Sequence, residues 1–230
     1  MKKEVIVISV GGSLIVPDTI NIGFLKGFRN LIMRELRKGK RFIIICGGGR
    51  TARNYQNSAK EIINLTRDDL DWLGIHSTRL NAHFIRTIFR NYSHPRIIKD
   101  PTEKINFKEK ILVAAGWKPG FSTDYDAVLL AKNFGIKKLV NLTNIDYVYD
   151  KDPKKFKGAK PIKLISWQRF RKLLPKKWDP GLNVPFDPIA ARESENLKLE
   201  VIIMNGKNLK NFDNYLKSKK FIGTVIKNEE

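Results

Sequence analysis

The sequence predicts an α/β protein built on a mainly parallel sheet covered by helices on both faces, and three observations predict it. Short apolar runs rich in Val and Ile alternate with segments whose apolar residues recur at helical spacing, the pattern of successive βαβ units. Three of the runs stop at glycine turns: Gly11-Gly12-Ser13, Gly47-Gly48-Gly49-Arg50, and the Gly116–Gly120 turn before Ser122-Thr123-Asp124. At 230 residues and 42% hydrophobic content the chain buries a full core, and one domain over residues 1–230 is the simplest organisation.

Val5 to Val10 reads as the first strand. A helix follows near Asn21 to Lys38, where Phe24, Leu25, Phe28, Leu31, Ile32 and Leu36 keep helical spacing. Arg41 to Cys46 is the second strand, followed by a helix from about Thr51. Leu70 to Asn91 reads as one or two helices with Leu73, Leu80, Phe84, Ile85 and Ile88 on the buried face. A short strand near Arg96 to Ile98 precedes a charged loop, the strand Ile111 to Ala115 and the helix that Ser122, Thr123 or Asp124 caps. Lys138 to Thr143 is a strand, and the Asp, Lys, Pro and Gly that follow up to Pro161 mark a long loop. Ser166 caps the helix "WQRFRKLL", and Asp187-Pro188 combines an N-cap acid with proline at the first helical position. Leu199 to Met204 is a buried strand, Asn208 to Lys217 a helix, and Phe221 to Ile226 a closing strand placed antiparallel at an edge. There is no internal repeat and no low-complexity linker.

The charge stands out: 44 Lys+Arg against 23 Asp+Glu gives +21, which attracts polyanions and anionic metabolites without choosing between them. Basic residues crowd between Lys151 and Trp178, with Phe156, Trp167, Phe170 and Trp178 interleaved. A nucleic-acid groove has that composition, and so does a solvated Lys-rich face whose aromatics turn inward. The second is preferred, because no RNA- or DNA-binding motif accompanies the run, and nucleic-acid binding is expected only as nonspecific attraction. The one cysteine, Cys46, excludes an internal disulfide and a Cys-based zinc cluster, and its place in "FIIIC" predicts a buried small hydrophobe. No window approaches 18 consecutive apolar residues, and the start "MKKE" carries no cleavage signature, so the expectation is a soluble cytoplasmic protein with no membrane partner.

Glycine permits positive φ and removes the Cβ that would keep a ligand from backbone N–H groups. A helix start adds unpartnered N–H groups and partial positive charge. Three such turns at the carboxyl ends of parallel strands predict a phosphorylated ligand. No G-x-x-x-x-G-K-[ST] occurs, which excludes the P-loop mechanism. "GGGRTA" satisfies the dinucleotide pattern, yet the acids near Asp68 to Asp71 lie in a helix-like segment away from any second strand end, which disfavours hydride transfer. Asp124, Asp187, Asp146, Asp150 and Asp152 are placed to orient cations, contact ribose, hold Mg²⁺ near phosphates, or simply cap and turn. Arg50, Arg53, Arg79 and Lys118 are the candidate phosphate cations, and Arg53 lies one helical turn beyond the glycine cluster.

The motifs "VGGSLIVP", "CGGGRTARNY", "DWLGIHSTRLNA", "GWKPGFSTDYDAVLLA", "NLTNIDYVYDKDPKK", "FDPIAAR" and "VIIMNG" cover nearly the whole chain, and together they resemble the amino acid kinase superfamily, within it the archaeal-type uridylate kinases. The resemblance implies a three-layer αβα sandwich, transfer of the ATP γ-phosphoryl group to UMP with Mg²⁺, and a homohexamer. It implies Gly12 and Ser13 along the ATP phosphates, Gly48 facing UMP, and Gly49 and Arg53 at the transfer centre. Asp71 is implied at the UMP ribose, and Trp117, Lys118, Pro119, Gly120, Phe121, Ser122 and Thr123 around UMP and its phosphate. Thr143, Asn144, Tyr149 and Asp152 match the base and ribose region of the ATP site; Asp124 matches the acid that orders the centre, and Asp187 starts a helix near the phosphates. Direct metal ligands stay unassigned. His76, His83 and His94 are read as structural or exposed.

Several positions depart from the family pattern. Ser9 stands where many members of the superfamily carry Lys, a Lys that archaeal-type uridylate kinases also lack, and Lys118 and Arg53 are the candidate replacements. Arg192 stands where Lys is common, Tyr147 replaces a customary Gly, and Tyr125 and Asp126 interrupt an otherwise apolar helix start; an extra acid there either disfavours phosphate or helps hold Mg²⁺. The competing readings are a superfamily kinase for isopentenyl phosphate, acetylglutamate or carbamate, an oxyanion-binding protein like the molybdenum-storage proteins, and a nucleic-acid module using the Lys151–Trp178 run.

Overall fold

The computed structural model describes residues 4–153, 155–175 and 184–229. The strands are β1 (Val5–Val10), β2 (Arg41–Cys46), β3 (Ile111–Ala114), β4 (Lys138–Thr143), β5 (Val148–Tyr149), β6 (Pro161–Ile162), β7 (Leu164–Ser166), β8 (Glu200–Asn205) and β9 (Thr224–Lys227). The helices are α1 (Gly12–Ile15), α2 (Ile22–Arg37), α3 (Gly49–Ile62), α4 (Arg67–Ile88), α5 (Thr123–Asn133), α6 (Trp167–Leu173), α7 (Pro188–Asn196) and α8 (Leu209–Leu216). Local chemistry explains most of the helix starts. Asn21 accepts from the Phe24 amide at 3.0 Å, Thr66 and Asp69 form a reciprocal capping box at α4, and Asp187 caps α7 with Pro188 as its first residue.

Among the described residues, seven strands form one sheet in the order β3-β2-β1-β4-β8-β9-β7. The first five run parallel, so their carboxyl ends share an edge: Val10 stands opposite Cys46 and Leu142, Ile45 opposite Ala114, and Thr143 opposite Asn205. The chain leaves β1 toward β2 on one side and later leaves β4 toward β8 on the other. The gap between β1 and β4 is therefore the topological switch point, where open α/β sheets bind ligands.

Side chains alternate across each strand. Ile6, Ile8 and Val10 point to a face covered by Phe24, Phe28 and Ile32 of α2, Ile85 of α4 and Phe212 of α8. Val7, Ile43, Ile45, Leu139 and Val201 point to the opposite face, under Val128 and Leu130 of α5, Trp167 and Phe170 of α6 and Ala190 of α7. Each such large side chain, fully buried, contributes about 1.5–3 kcal/mol. The result is a three-layer αβα sandwich. Cys46 lies in the first of these layers, and burial pushes its thiol pKa up, which keeps it a neutral hydrophobe.

Some expectations need correction. Arg96–Ile98 forms no strand of its own: Ser93 and Ile98 each make a single bridge to β3, at Ile111 and Ala114. The loop expected up to Pro161 contains the β5–β6 hairpin, with Tyr149 opposite Pro161. The strand expected over Phe221–Ile226 starts at Thr224 and is internal, antiparallel to β8 on one side and parallel to β7 on the other. The helix expected from Thr51 starts at Gly49, and the long helical region is the single helix α4. Leu80 is 62% exposed, because α4 packs through Ile75, Thr78, Asn81, Ala82 and Ile85. In the basic run Trp167 and Phe170 turn inward, Phe156 is exposed, and Trp178 lies outside the described residues.

Candidate active site

The first two glycine turns are built against each other. The Gly11 amide donates to the Leu142 carbonyl at 2.9 Å, Gly47 to Val10 at 3.0 Å, and Arg50 to Val16 at 2.9 Å. A Cβ on Gly12 would lie 2.0 Å from the Gly49 nitrogen and 2.6 Å from the Gly47 carbonyl carbon. Gly49 has φ +65°, which favours glycine. Gly12 opens α1 beside Ser13, Gly48 and Gly49 open α3, and Asn81 of α4 donates to the Gly47 and Gly48 carbonyls at 2.8 and 3.1 Å. Those bonds tie the two turns to each other, to β4 and to α4.

The third turn follows β3. The Gly116 amide donates to Thr78 Oγ1 at 2.8 Å, Arg79 Nη2 donates to the Trp117 carbonyl at 2.8 Å, and the Gly120 amide donates to Asp71 Oδ2 at 2.8 Å. Pro119 lies in the same turn, and Ser122 ends it by accepting from the Tyr125 amide at 3.2 Å, with Thr123 as the first residue of α5. Three rings line up along it: Trp117 to Phe121 at 5.1 Å between centroids and Phe121 to Tyr125 at 5.2 Å. The Lys118 ammonium lies 4.0 Å from the centre of Trp117 and 5.3 Å from that of Phe121, in reach of cation–π attraction.

Asp124 stands over the switch point. Its Oδ1 accepts from Ser9 of β1 at 3.5 Å and from Asn141 of β4 at 3.4 Å, two residues that are register partners, and its Oδ2 accepts from the Asp187 amide at 3.3 Å. All three are long for hydrogen bonds. Burial, and then the neighbouring Asp187 carboxylate, push the Asp124 pKa up to about 7. Burial also raises Asp187, against the Ala190 amide, the Ser122 side chain and the Ile189 amide that hold its charged form. Asp126, two residues on in the same turn of α5, is pushed up to about 8 by burial, opposed by the Trp117 amide.

On the far side of β4, the Thr143 hydroxyl donates to Asn144 Oδ1 at 3.4 Å, and the Thr143 carbonyl accepts from Gly206 at 2.8 Å. Asn205 of β8 donates to Asp146 at 3.0 Å. Tyr149 sits in the β5–β6 hairpin, and the Asp152 carbonyl starts the next turn by accepting from Lys155 and Phe156. The expected residues thus fall into two groups. Gly48, Gly49, Arg53, Asp71 and Trp117–Thr123 lie on the β2–β3 side, and Thr143, Asn144, Tyr149 and Asp152 on the β4–β8 side, with Gly12, Asp124 and Asp187 between them.

Arg53 is exposed on α3 and Lys118 on the third turn, whereas the Arg79 guanidinium is committed to the loop carbonyls. His76 and His83 are exposed, and His94 pairs with Glu109 at 3.2 Å. Among the described residues, no three His, Cys, Asp or Glu side chains converge into a metal cage. Thr78, Asn81 and Asn141 support the site and were not among the expected residues. The signal they carried was polarity on faces otherwise apolar: Asn141 interrupts a buried parallel strand, and Thr78 and Asn81 lie on the inward stripe of α4.

The model of the amino acid kinase family matches residues 4–205. A uridylate kinase of Thermoplasma acidophilum is 32% identical over 231 residues, covering 99% of both chains. A uridylate kinase of Sulfurisphaera tokodaii is 33% identical, over 91% of this chain and 93% of that protein. The crystal structure of a uridylate kinase from Archaeoglobus fulgidus superposes with a TM-score of 0.81 at 28% identity, covering 97% of this chain and 99% of that one.

Proposed function

The chain belongs to the amino acid kinase family, and from that premise we propose that it is a uridylate kinase, transferring the γ-phosphoryl group of ATP to UMP to give UDP and ADP. The observation that carries the reading is the position of Asp124. It bridges β1 and β4 at the switch point, with one group of the residues expected to bind nucleotide on each side. Full-length relatives that are uridylate kinases favour UMP over the other phosphate and carboxylate acceptors of the family.

A UMP phosphate oxygen attacks the γ-phosphorus of ATP in line, the bond from that phosphorus to the β,γ-bridging oxygen breaks, and ADP leaves with the electron pair. The acceptor phosphate is already ionised near neutral pH, so the reaction needs no side-chain nucleophile. Alignment and charge neutralisation carry the catalysis. Gly12 and Ser13 present amides to the ATP phosphates, and Thr143, Asn144, Tyr149 and Asp152 receive its base and ribose. Gly48 faces UMP, Gly49 and Arg53 border the transferred group, and Trp117–Thr123 enclose the acceptor. Asp71 holds Gly120 with Oδ2 and keeps Oδ1 for a ribose hydroxyl. Lys118 and Arg53 supply the cations where Ser9 leaves none, and Asp187 fixes Asp124 from the start of α7.

Mg²⁺ binds through phosphate oxygens, water and one or two carboxylates more readily than in an all-protein cage. The donor set fits that mode: Asp124, whose contacts are all 3.3 Å or longer, is the carboxylate with electron pairs to spare. Held there with the phosphates, Mg²⁺ would neutralise the charge that develops on them.

Residues 1–230 act as one domain, in the cytoplasm, as a homohexamer. Apolar side chains exposed along α3 and α4, namely Tyr55, Ile62, Trp72 and Leu80, support self-association. No helix of the described residues is long and apolar enough to cross a membrane.

The test is ADP formation from Mg-ATP with UMP, CMP, dUMP, isopentenyl phosphate and acetylglutamate offered separately. UMP-dependent turnover that collapses in Asp124→Asn is expected; turnover with another acceptor in place of UMP, or with none, overturns the reading.

A further inference from the structure

The turn after β3 has three anchors on α4, at Thr78, Arg79 and Asp71, and a fourth on α5. The fourth is Asp126, whose Oδ2 accepts from the Trp117 amide at 3.1 Å. Asp126 is 0% exposed, and its Oδ1 has no hydrogen-bond partner among the described residues. Its neighbours along α5, Ala127, Val128, Leu130 and Ala131, are buried and apolar. An apolar side chain at 126 would satisfy the packing of the helix, and a carboxyl group with a single partner is a costly way to fill that space. Packing therefore does not account for it. Its one bond does: among the described residues it is the acceptor of the Trp117 amide.

Asp124 and Asp126 share a turn of one helix but face different ways, Asp124 to β1, β4 and Asp187, and Asp126 to the first residue of the ring-bearing turn. The three anchors on α4 fix that turn relative to the second glycine cluster, through Asn81 on the same helix. Asp126 ties its first residue to the helix that carries Asp124, as Ser122 ties its last residue to Tyr125 and Asp187. We propose that Asp126 is a positioning residue that sets the acceptor turn against Asp124, and with it the placement of the acceptor phosphate. The inference rests on the uridylate kinase reading. It assigns Asp126 no contact with either nucleotide: it acts through the Trp117 amide and through the Trp117–Phe121–Tyr125 stack and Lys118 that follow from that residue's position.

The experiment compares Asp126→Asn, which keeps the acceptor oxygen, with Asp126→Leu, which removes it at similar volume, measuring KM for UMP, KM for ATP, kcat and the melting temperature. The Leu variant is expected to raise KM for UMP at least about tenfold while KM for ATP stays within about twofold, and the Asn variant to recover the wild-type UMP value within about threefold. A parallel rise in both KM values, no rise in either, or failure of Asn to rescue overturns the proposal. Should the Leu variant not fold, Asp126→Ala is read in its place, and loss of folding in both shows a purely structural role. Absence of UMP-dependent turnover in the wild-type protein is a separate result, and it overturns the reading of function before any variant is compared.

Discussion

The amide of Asp187 donates to Asp124 Oδ2 at 3.3 Å, while the Asp187 carboxylate turns into its own helix and accepts from Ile189 and Ala190 at 2.6 and 2.8 Å. Two acids are thus held close, and among the described residues no Lys or Arg offsets the charge of either. The backbone of one supports the carboxylate of the other, and their charges oppose each other in a poorly hydrated place. Such an arrangement costs folding energy and favours whatever positive charge enters.

That cost is measurable as a pH dependence. Burial and Asp187 hold the Asp124 pKa at about 7, against an ordinary 3.8. The folded protein therefore keeps a proton that the unfolded chain releases, and stability falls as pH rises through that window and levels off above pH 7. In nucleotide-free, metal-free protein, Asp124→Asn is expected to raise stability above pH 7 by on the order of 1–3 kcal/mol, and to change it little near pH 4. Thermal melts at both pH values check this. Turnover with UMP should fall by about a hundredfold or more in the same variant, so the substitution that stabilises the protein removes its activity.

Gly12→Ala is expected to destabilise the protein by about 2–4 kcal/mol and to abolish turnover. The new methyl would meet backbone atoms of Gly47 and Gly49, which have no side-chain freedom with which to yield. Urea unfolding gives the loss, and a midpoint unchanged from wild type would show that the two turns separate easily.

Lys118 rests on the faces of Trp117 and Phe121 and has no ion pair among the described residues. Lys118→Met is expected to lower kcat/KM for UMP about tenfold to a hundredfold with a melting temperature within about a degree of wild type, as its exposed position allows. Steady-state kinetics with UMP varied, beside Arg53→Met, shows which cation neutralises the transferred group.

Ile62 is 84% exposed at the end of α3, with Ile63 following it. Ile62→Asp is expected to lower the mass of the assembly seen by sedimentation, since a charge placed in an apolar interface loses its hydration. An unchanged mass would move the interface off α3.

Much of this fold was legible because the chemistry that decides it is local. β1, β2 and β4 match their apolar runs residue for residue, and the caps at Ser166 and Asp187 lie where their side chains demanded. β5, β6 and β7 were not legible, since two or three residues make no pattern, and the partner of β7 is remote: Leu164 pairs with Val225, 61 residues on. Leu80 fits the helical period of α4 but lies outside the stripe that meets the sheet, a boundary only the third dimension sets. In the site, glycines and helix-capping acids were readable because their backbone roles are intrinsic to the residue type. Thr78, Asn81 and Asn141 were not, because a buried polar group has meaning only once its partner is known.

The sheet order also governs how the chain is made. β9 lies between β8 and β7, although it follows every other described strand in the chain. Until residues 224–227 leave the ribosome, β7 has no strand to join and the outer edge of β8 is unpaired, a surface open to strand exchange with other chains. Closure of the described sheet therefore waits for β9, whereas β1 to β4 emerge earlier. Emergence of β9, more than assembly of the edge at the ends of β1 to β4, is the step that removes this exposed edge.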